Sequence, residues 1–369
     1  QGLTAPATSS TATRWVVVTG GGYVAHAANS DRTSWSSYDG TFNSSPKALA
    51  LAFGKNASGA GIYVCTRDAA SRELQVSSTD VTTDAVWSDI NISPNDDQHD
   101  VTWGARSDGS TAGTWMSVGD DGLVMRSTDG AANWSSVDMS STNLGTKVIW
   151  GIDSNGSGKW MFAAGSAYLY VSTNDGASFT ESQPWGSDTP GAIKGIIYTN
   201  NSWVIAYRRG SAVHFRSCAD SDTSDWSDEF SVNATNFPAR VSNGTNAVVT
   251  FADPDGQHEF IRMAAYQGKV CAVSTADEVI LSFDVNGKTM SGGKFRDGNK
   301  SDEQGLDLDG SDTCMSVTTD GTTWMVSCKG GDVFESSDAD TWTRILNDIT
   351  IDNSQRDLNA ISCDVLRPL

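Results

Sequence analysis

The stretch Ser127-Thr128-Asp129-Gly130-Ala131-Ala132-Asn133-Trp134 decides the fold of this chain, because versions of it recur along the whole sequence. A second copy runs from Ser172 to Phe179 and contains Asp175 and Gly176, and a third runs from Ser336 to Trp342 and contains Asp338. The weaker copies begin at Ser30, Ser77, Ser217 and Ser282. Neighbouring copies are about 45 to 65 residues apart, and a recurrence of this order indicates a repeated structural unit.

The residue types in each copy suit a tight turn between two β-strands. Asp and Ser side chains can bond backbone amides in such a turn, and Gly adopts the positive φ that other residues resist. The aromatic residue that closes each copy is expected to turn inward, as an apolar anchor at the start of the next strand. We therefore assign a structural role to Ser127, Asp129, Gly130, Trp134, Asp175, Gly176, Phe179, Asp338 and Trp342.

Three short apolar segments precede the best copies of the turn, and one segment follows. In the third unit, the segments before the turn begin at Val101, Thr114 and Leu123. Four strands per unit is the composition of a β-propeller blade. The seven copies therefore predict an all-β fold, a seven-bladed β-propeller of four-stranded antiparallel blades.

The repeated turn resembles the Asp-box, or BNR repeat, of β-propeller proteins, whose pattern is SxDxGxxW. This resemblance implies that the turn joins the third and fourth strands of a blade, on the face opposite the usual binding surface. It also implies that Asp129 and Asp175 belong to the scaffold and are not catalytic acids.

The two ends of the chain predict how the ring closes. The first unit begins at Arg14-Trp15 with a segment that matches a second strand, whereas Leu358 to Asp364 matches a first strand that has no second. Pairing the two segments completes one blade and removes two exposed sheet edges. We therefore expect a single propeller domain over residues 14–369, preceded by a linker-like tail over residues 1–13.

Two connections between units are longer than the others. The first contains a predicted inserted hairpin at about residues 240–260, around the turn Asp253 to Gly256. The second is a long acidic loop at about residues 292–312. Because binding residues tend to occupy loops on a rigid scaffold, we expect the interaction surface in this sector.

The candidate ligand-binding residues lie in the loops between blades. Trp185, after the fourth unit, is the best candidate for stacking on a sugar, although an aromatic packed on the next blade is the simpler interpretation. The other candidates are acidic residues of the long loop, namely Asp297, Asp302, Asp307 and Asp309. Asp307, Asp309 and Asp312 could hold calcium, which prefers oxygen ligands; a solvated acidic loop without a cofactor is the expectation.

A further polar cluster, at Asp96, Asp97, His99 and Asp100, lies between the second and third units. Its histidine could act as a base in principle. We interpret the cluster as a polar surface loop.

Charge and composition restrict the partners. The chain has 25 basic and 45 acidic side chains, a net charge of −20, so its field would repel a nucleic acid. No apolar run approaches the roughly 18 residues that a membrane span requires, so membrane insertion is not expected. The cysteines lie mostly in strand-like runs and are expected to be buried hydrophobic residues. One disulfide, between Cys314 and Cys328 on neighbouring strands, is the alternative.

Asp-box propellers include glycosidases, so hydrolysis is one functional alternative. The arginine-containing motif of sialidases is missing near the first unit, where Arg14 and Arg32 stand in other contexts. Xyloglucan-cleaving enzymes of this type use two opposed carboxylates, and with 45 acidic residues such a pair stays open. They usually contain two propellers, however, whereas this sequence predicts one. A secreted carbohydrate-binding lectin is the second alternative.

The favoured hypothesis is a non-catalytic structural or adhesion propeller. The acidic, Ser/Thr/Gly-rich and Lys-poor composition resembles that of exposed proteins of bacteriophage particles. The opening Gly2 to Ser10 is similar to linker phrases that precede receptor-facing modules in phage tail fibres. This resemblance implies a location on the virion surface or outside the cell, with other virion proteins or cell-surface glycans as partners.

Overall fold

The computed structural model describes residues 13–39, 47–68, 74–77, 81–82, 87–93, 97–120, 122–139, 148–154, 157–164, 167–182, 184–185, 192–209, 212–226, 228–231, 240–242, 245–247, 261–274, 279–286, 290–292, 294–296, 314–328, 330–346, 350–351, 354–355 and 358–364. These residues form β-strands joined by turns, and we number the strands in chain order. No helix in this part of the chain is long and apolar enough to traverse a bilayer.

The strands form seven blades, each of which runs from a first strand, nearest the ring axis, to a fourth strand at the rim. Blade 1 contains β33 (Leu358–Cys363), β1 (Arg14–Thr19), β2 (Tyr23–Ala28) and β3 (Asp31–Asp39). Blade 2 contains β4 (Lys47–Lys55), β5 (Gly61–Asp68), β6 (Leu74–Ser77) and β7 (Trp87–Ile90). Blade 3 contains β8 (Gln98–Gly104), β9 (Thr114–Gly119), β10 (Val124–Ser127) and β11 (Ser135–Ser136). Blade 4 contains β12 (Val148–Ser154), β13 (Trp160–Ala164), β14 (Tyr168–Ser172) and β15 (Thr180–Ser182).

The remaining three blades follow the same order. Blade 5 contains β16 (Ala192–Thr199), β17 (Ser202–Arg209), β18 (Ala212–Ala219) and β19 (Asp228–Ser231). Blade 6 contains β22 (Ile261–Tyr266), β23 (Lys269–Ser274), β24 (Val279–Asp284) and β25 (Met290–Gly292). Blade 7 contains β27 (Cys314–Thr319), β28 (Trp324–Cys328), β29 (Val333–Ser336) and β30 (Thr341–Leu346).

The ring closes between the two ends of the chain, as the sequence predicts. Strand β33 pairs antiparallel with β1, with Trp15 opposite Cys363 and Val17 opposite Ile361. The carboxylate of Asp364 accepts hydrogen bonds from the backbone N–H groups of Thr13, at 2.6 Å, and Arg14, at 3.0 Å. The first strands of all neighbouring blades contact each other, including β33 with β27 and with β4. The seven-bladed propeller and its closure are thereby confirmed.

The core lies between the blades. Each of the seven clusters of buried apolar side chains in the described residues joins two neighbouring blades. The second strands are covered on both faces, so they read as continuous apolar runs, and β9, β13 and β28 are buried throughout. In five blades a buried Trp stands at the first or second position of this strand, namely Trp15, Trp115, Trp160, Trp203 and Trp324.

The two long connections contain additional strands. The region of the predicted inserted hairpin holds the pair β20 (Arg240–Ser242) and β21 (Thr245–Ala247), whereas residues 248–260, with the expected turn, lie outside the described residues. At the start of the predicted acidic loop, β26 (Lys294–Arg296) pairs in parallel with β30 as a fifth strand of blade 7. A short pair, β31 (Thr350–Ile351) and β32 (Ser354–Gln355), precedes β33. The predicted tail, apart from Thr13, lies outside the described residues.

Candidate functional site at the central channel

The first strands of the blades surround a channel along the ring axis. Its lining comes from β4, β8, β16, β22, β27 and β33, and it includes polar side chains such as Thr102, Ser316 and Thr318. The cavity volume is about 90 Å³. Small-molecule sites usually measure about 300–1,000 Å³, so this cavity is too small to enclose a ligand of that class.

An ion pair joins opposite sides of this channel. Nη1 of Arg262, in β22 of blade 6, lies 3.3 Å from Oδ2 of Asp100, in β8 of blade 3. Nη2 of Arg262 also donates to the carbonyl oxygen of Leu49, in β4 of blade 2, at 3.4 Å. Oδ1 of Asp100 accepts a hydrogen bond from the backbone N–H of Val101 at 3.0 Å. The guanidinium therefore ties three blades together across the axis.

The position of the pair along the strands assigns it to one face of the ring. Asp100 and Arg262 stand near the beginnings of their first strands. Because successive strands of a blade are antiparallel, the beginnings of the first strands share a face with the hairpins between second and third strands. The repeated turns that resemble the Asp-box, which we call box turns, join the third and fourth strands and lie on the other face, the box face. The ion pair thus occupies the channel mouth opposite the boxes, and we call this side the mouth face.

In the predicted polar cluster, Asp96 lies outside the described residues, and the other three residues divide between the channel and the mouth face. Asp100 faces the channel, whereas Nε2 of His99 lies 2.7 Å from Oδ1 of Asp120, in the hairpin between β9 and β10. The backbone N–H of Asp120 in turn donates to the carbonyl oxygen of Asp97 at 2.8 Å. No group of three or more His, Cys, Asp or Glu side chains suited to a metal occurs in the described part of the chain.

Trp185 is a core residue, so its interpretation as a sugar-stacking residue is corrected. Only 3% of it is exposed, and its Nε1 donates to the carbonyl oxygen of Ala167 at 2.8 Å. Its ring packs edge-on against Tyr207 at 4.9 Å, and the buried guanidinium of Arg216 lies 5.7 Å from its centroid. A ring covered in this way has no face left for a sugar. The simpler interpretation, an aromatic packed on the next blade, is confirmed, because the covering residues Tyr207 and Arg216 belong to blade 5.

Replacing Trp185 by Ala should destabilise the fold without acting through ligand binding. We expect the free energy of unfolding to fall by about 3–5 kcal/mol, the usual cost of deleting a buried Trp. Denaturant titration measures the loss, and Trp134→Ala, at a half-buried site, is the matched control with a smaller expected cost. A loss at Trp185 no greater than that at Trp134 would contradict the core assignment.

The acidic candidates Asp297, Asp302, Asp307, Asp309 and Asp312 lie outside the described residues. Their role as a ligand-binding loop, and the weaker alternative of a calcium site, stay predictions.

The first box turn has the geometry that its residue types predict. Oδ1 of Asp129 accepts hydrogen bonds from Oγ of Ser127, at 2.8 Å, and from the backbone N–H of Asn133, at 2.9 Å. Gly130 has a φ of 75°. Trp134, which closes the turn, is half-buried, and its Nε1 donates to the carbonyl oxygen of Ala131. In the seventh blade, Asp338 bonds Ser336 and the following amides in a similar way, and Trp342 is fully buried.

These turn carboxylates have lowered pKa values. Burial acts to raise the pKa of Asp129, but hydrogen bonds from Asn133 and Ser127 outweigh it and hold the pKa below the ordinary 3.8. The same balance lowers the pKa of Asp338, where the amides of Thr341 and Asp340 donate. A lowered folded-state pKa stabilises the fold above pH 3.8, and this contribution is lost as the pH falls through the lowered value.

In the second box turn, Asp175 does not occupy the position of Asp129, contrary to the prediction from the sequence. Asn174, not Asp175, takes the place of Asp129, because its Oδ1 accepts from Oγ of Ser172 at 2.8 Å and from the backbone N–H of Ser178 at 3.0 Å. Asp175 instead stands where the first turn has Gly130, with a φ of 57°. Gly176, also at positive φ, and the half-buried Phe179 complete the turn.

Asp175 is structural, but it acts between blades. Its carboxylate accepts from the backbone N–H of Ser107, at 3.0 Å, and from Oγ of Ser107, at 2.6 Å, in the hairpin that joins the first two strands of blade 3. Its own carbonyl oxygen accepts from Nε of Arg126 at 2.8 Å. The residue therefore links blade 4 to blade 3.

A double-mutant cycle should detect this link. Asp175→Asn keeps a side chain that tolerates positive φ, and Ser107→Ala removes the hydroxyl. Because hydrogen bonds to a charged group contribute about 1.5–3 kcal/mol, we expect the pair to be coupled by about 1 kcal/mol in unfolding free energy. The cycle of Asp175→Asn with Ser110→Ala is the control. Additive losses in the Ser107 cycle would show that the contact contributes nothing.

Comparison with known proteins relates the chain to other propellers by fold. No protein-family profile matches the sequence, and no curated protein matches it. Among solved structures, "YCF48 bound to D1 peptide" is similar with a TM-score of 0.56 and 11% identity, over 87% of this chain and 93% of that one. YCF48 from Cyanidioschyzon merolae gives 0.48 and 14%, over 81% and 84%, and a nidogen/laminin complex gives 0.47 and 8%, over 96% and 100%. The first of these similarities supports the β-propeller fold.

Proposed function

We propose that this chain is a non-catalytic binding propeller that holds a protein partner on its mouth face, as a component of a bacteriophage particle. The observation that carries the non-catalytic part of the proposal is the ion pair at the channel mouth. Of the described residues that line the channel, Asp100 is the one carboxylate, and it faces the guanidinium of Arg262.

This arrangement argues against a glycosidase centred on the channel. Glycosidases of the usual kind place two carboxyl groups about 5–9.5 Å apart, on either side of the scissile bond. Here the group that faces Asp100 across the axis is the guanidinium of Arg262, and the cavity volume is only about 90 Å³. A hydrolase built on the loops outside the described residues is the alternative that an activity assay must test.

A protein partner is favoured by the form of the surface and by the charge. A closed ring holds its hairpins on a rigid scaffold, which suits recognition of a large surface. The net charge of −20 favours a partner with a basic surface, because complementary fields speed association. The propeller with a TM-score of 0.56 is described as bound to a peptide, which is a precedent for a peptide ligand on this fold.

The lectin alternative has lost its best candidate residue. With Trp185 in the core, a glycan site would depend on the acidic loop that contains Asp297, Asp302, Asp307 and Asp309. The virion hypothesis continues to rest on composition and on the opening Gly2 to Ser10.

Association with particles tests the proposal directly. Phage particles from the source of the gene are purified on a density gradient and washed in salt, and the chain is quantified by mass spectrometry. We expect it at a fixed ratio to the major structural proteins. Its absence from such particles would overturn the virion proposal, and glycan-array binding without hydrolysis would then favour the lectin.

Two charge-reversal variants test which face binds. Asp120→Arg lies on the mouth face, and Asp222→Arg lies in a turn between third and fourth strands on the opposite face. Each changes the net charge by the same amount. We expect Asp120→Arg to reduce the particle-bound amount several-fold and Asp222→Arg to leave it unchanged. The reverse order would place the partner on the box face.

A further inference from the structure

Two of the buried cysteines lie side by side on neighbouring strands of blade 7. Cys314 in β27 is directly opposite Cys328 in β28, and their sulfur atoms are 3.9 Å apart. Both residues are fully buried, in the apolar cluster between blades 6 and 7. All six cysteines are present as free thiols.

The geometry suits a covalent bond between the two. Directly opposed residues of antiparallel strands have Cα atoms about 4.5–5.5 Å apart, within the about 4.4–6.8 Å span of disulfides. The sulfur atoms must approach by about 2 Å to reach the bond length of about 2.05 Å. Cys314 and Cys328 are paired across the two strands, and the register of β27 shifts between Cys314 and Ser316. Side-chain rotation from this pairing can supply much of the movement.

The other four cysteines do not share this arrangement. Their opposite residues in the described strands are Leu51 and Gln75 for Cys65, Trp203 for Cys218, Ala264 and Ser282 for Cys271, and Trp15 for Cys363. The pairing is therefore specific to Cys314 and Cys328.

We propose that Cys314 and Cys328 form a disulfide when the chain folds in an oxidising environment. The oxidant is a low-molecular-weight disulfide such as oxidised glutathione. One cysteine thiolate attacks it, which releases one small thiol and leaves a mixed disulfide on the protein. The second cysteine thiolate then attacks the protein sulfur and releases the second small thiol. Two electrons and two protons leave the cysteine pair, and both protons end on the released thiols.

Burial determines when the bond can form and break. Because neither thiol is exposed in the folded chain, the oxidant must act before blades 6 and 7 have packed. Once packed, the disulfide should resist small reductants in the native state. It closes a loop across β27 and β28, so it stabilises this sector by restricting the unfolded chain.

Peptide mapping tests the proposal. The chain is refolded in a buffer of reduced and oxidised glutathione, the native monomer is isolated, and free thiols are alkylated. Cleavage before Asp312, Asp320 and Asp332 separates Cys314, in residues 312–319, from Cys328, in residues 320–331. We expect the two fragments to be joined until reductant is added. The same digest on chain secreted into an oxidising compartment avoids refolding.

A stability measurement with matched variants supports the mapping. We expect the melting temperature of the oxidised chain to exceed that of the reduced chain by about 4 °C. Cys314→Ala with Cys328→Ala should abolish the difference, whereas Cys363→Ala, at another buried cysteine, should retain it. Recovery of both fragments alkylated and unlinked, or linkage of Cys314 to Cys271, would overturn the proposal.

Discussion

Deleting residues 358–369 should abolish the cooperative fold. Strand β33 supplies the first strand of blade 1 and buries Leu358, Ala360, Ile361 and Cys363 against blades 1, 2 and 7. Each large apolar side chain contributes about 1.5–3 kcal/mol, and the lost pairing with β1 adds to this. The sum approaches the whole stability of a typical protein, about 5–15 kcal/mol. Far-UV circular dichroism during urea titration should therefore show no cooperative transition.

A shorter deletion and a peptide separate ring closure from simple loss of chain. Removal of residues 365–369 alone keeps β33 and should leave the urea midpoint almost unchanged. A synthetic peptide of residues 358–369, added to the truncated chain, should restore a transition whose midpoint rises with peptide concentration, because it binds the folded ring. A truncated chain that unfolds at the wild-type midpoint would show that β33 does not close the ring.

Replacing Gly130 by Ala should cost about 3–5 kcal/mol of unfolding free energy. Gly130 has a φ of 75°, where an L side chain is strained. A Cβ atom there would lie 2.1 Å from the backbone nitrogen of Ala57 and 2.3 Å from the carbonyl carbon of Asn56. These are backbone atoms of blade 2, which cannot rotate away, so strain and overpacking add.

Gly109 provides a control with the same backbone conformation. Its φ is also 75°, but no atom lies within 4 Å of a Cβ added there. Gly109→Ala should therefore cost only the conformational strain, about 1–2 kcal/mol. Urea titration of both variants measures the difference. Equal losses would mean that the box turn of blade 3 does not pack on the backbone of blade 2.

The fold could be predicted largely from the sequence, because short repeated patterns of residues determine its strands and turns. The residue types of Ser127, Asp129 and Gly130 predict the geometry of the box turn, and the number of its copies predicts the number of blades. The unmatched segments at Arg14 and Leu358 report how the ring closes. Each of these features depends on residues close in sequence, or on two terminal segments that together complete one blade.

The contacts between blades could not be predicted in the same way. Asp175 belongs to a recognisable motif, yet its carboxylate bonds Ser107 of another blade, and the turn position expected for it is filled by Asn174. Trp185 stands in a polar connection, yet its neighbours in space are Tyr207 and Arg216. Register within the motif can be found by counting from the closing aromatic. Packing of Trp185 on the next blade could also be expected, but no local pattern identifies Tyr207 and Arg216 as the residues that cover it.

The ion pair at the channel mouth is likewise not predicted as a pair. In the sequence, Asp100 stands out only as part of a polar cluster, and nothing near Arg262 marks it as its partner. The sequence signal that could have indicated the pair is a charged residue near the beginning of a first strand, where the side chain must face the axis or another blade. Two such residues of opposite charge, in blades on opposite sides of the ring, can meet only across the channel.

The most direct test of a non-catalytic propeller is hydrolysis of a glycan panel, measured by release of reducing sugar. We expect no product above buffer from the wild-type chain or from Asp100→Asn. Both chains must first show the same cooperative unfolding, so that loss of fold does not imitate loss of activity. Sustained product from the wild-type chain would contradict the non-catalytic role. Its disappearance in Asp100→Asn would make the channel mouth the catalytic site, whereas its persistence would place the site in other loops.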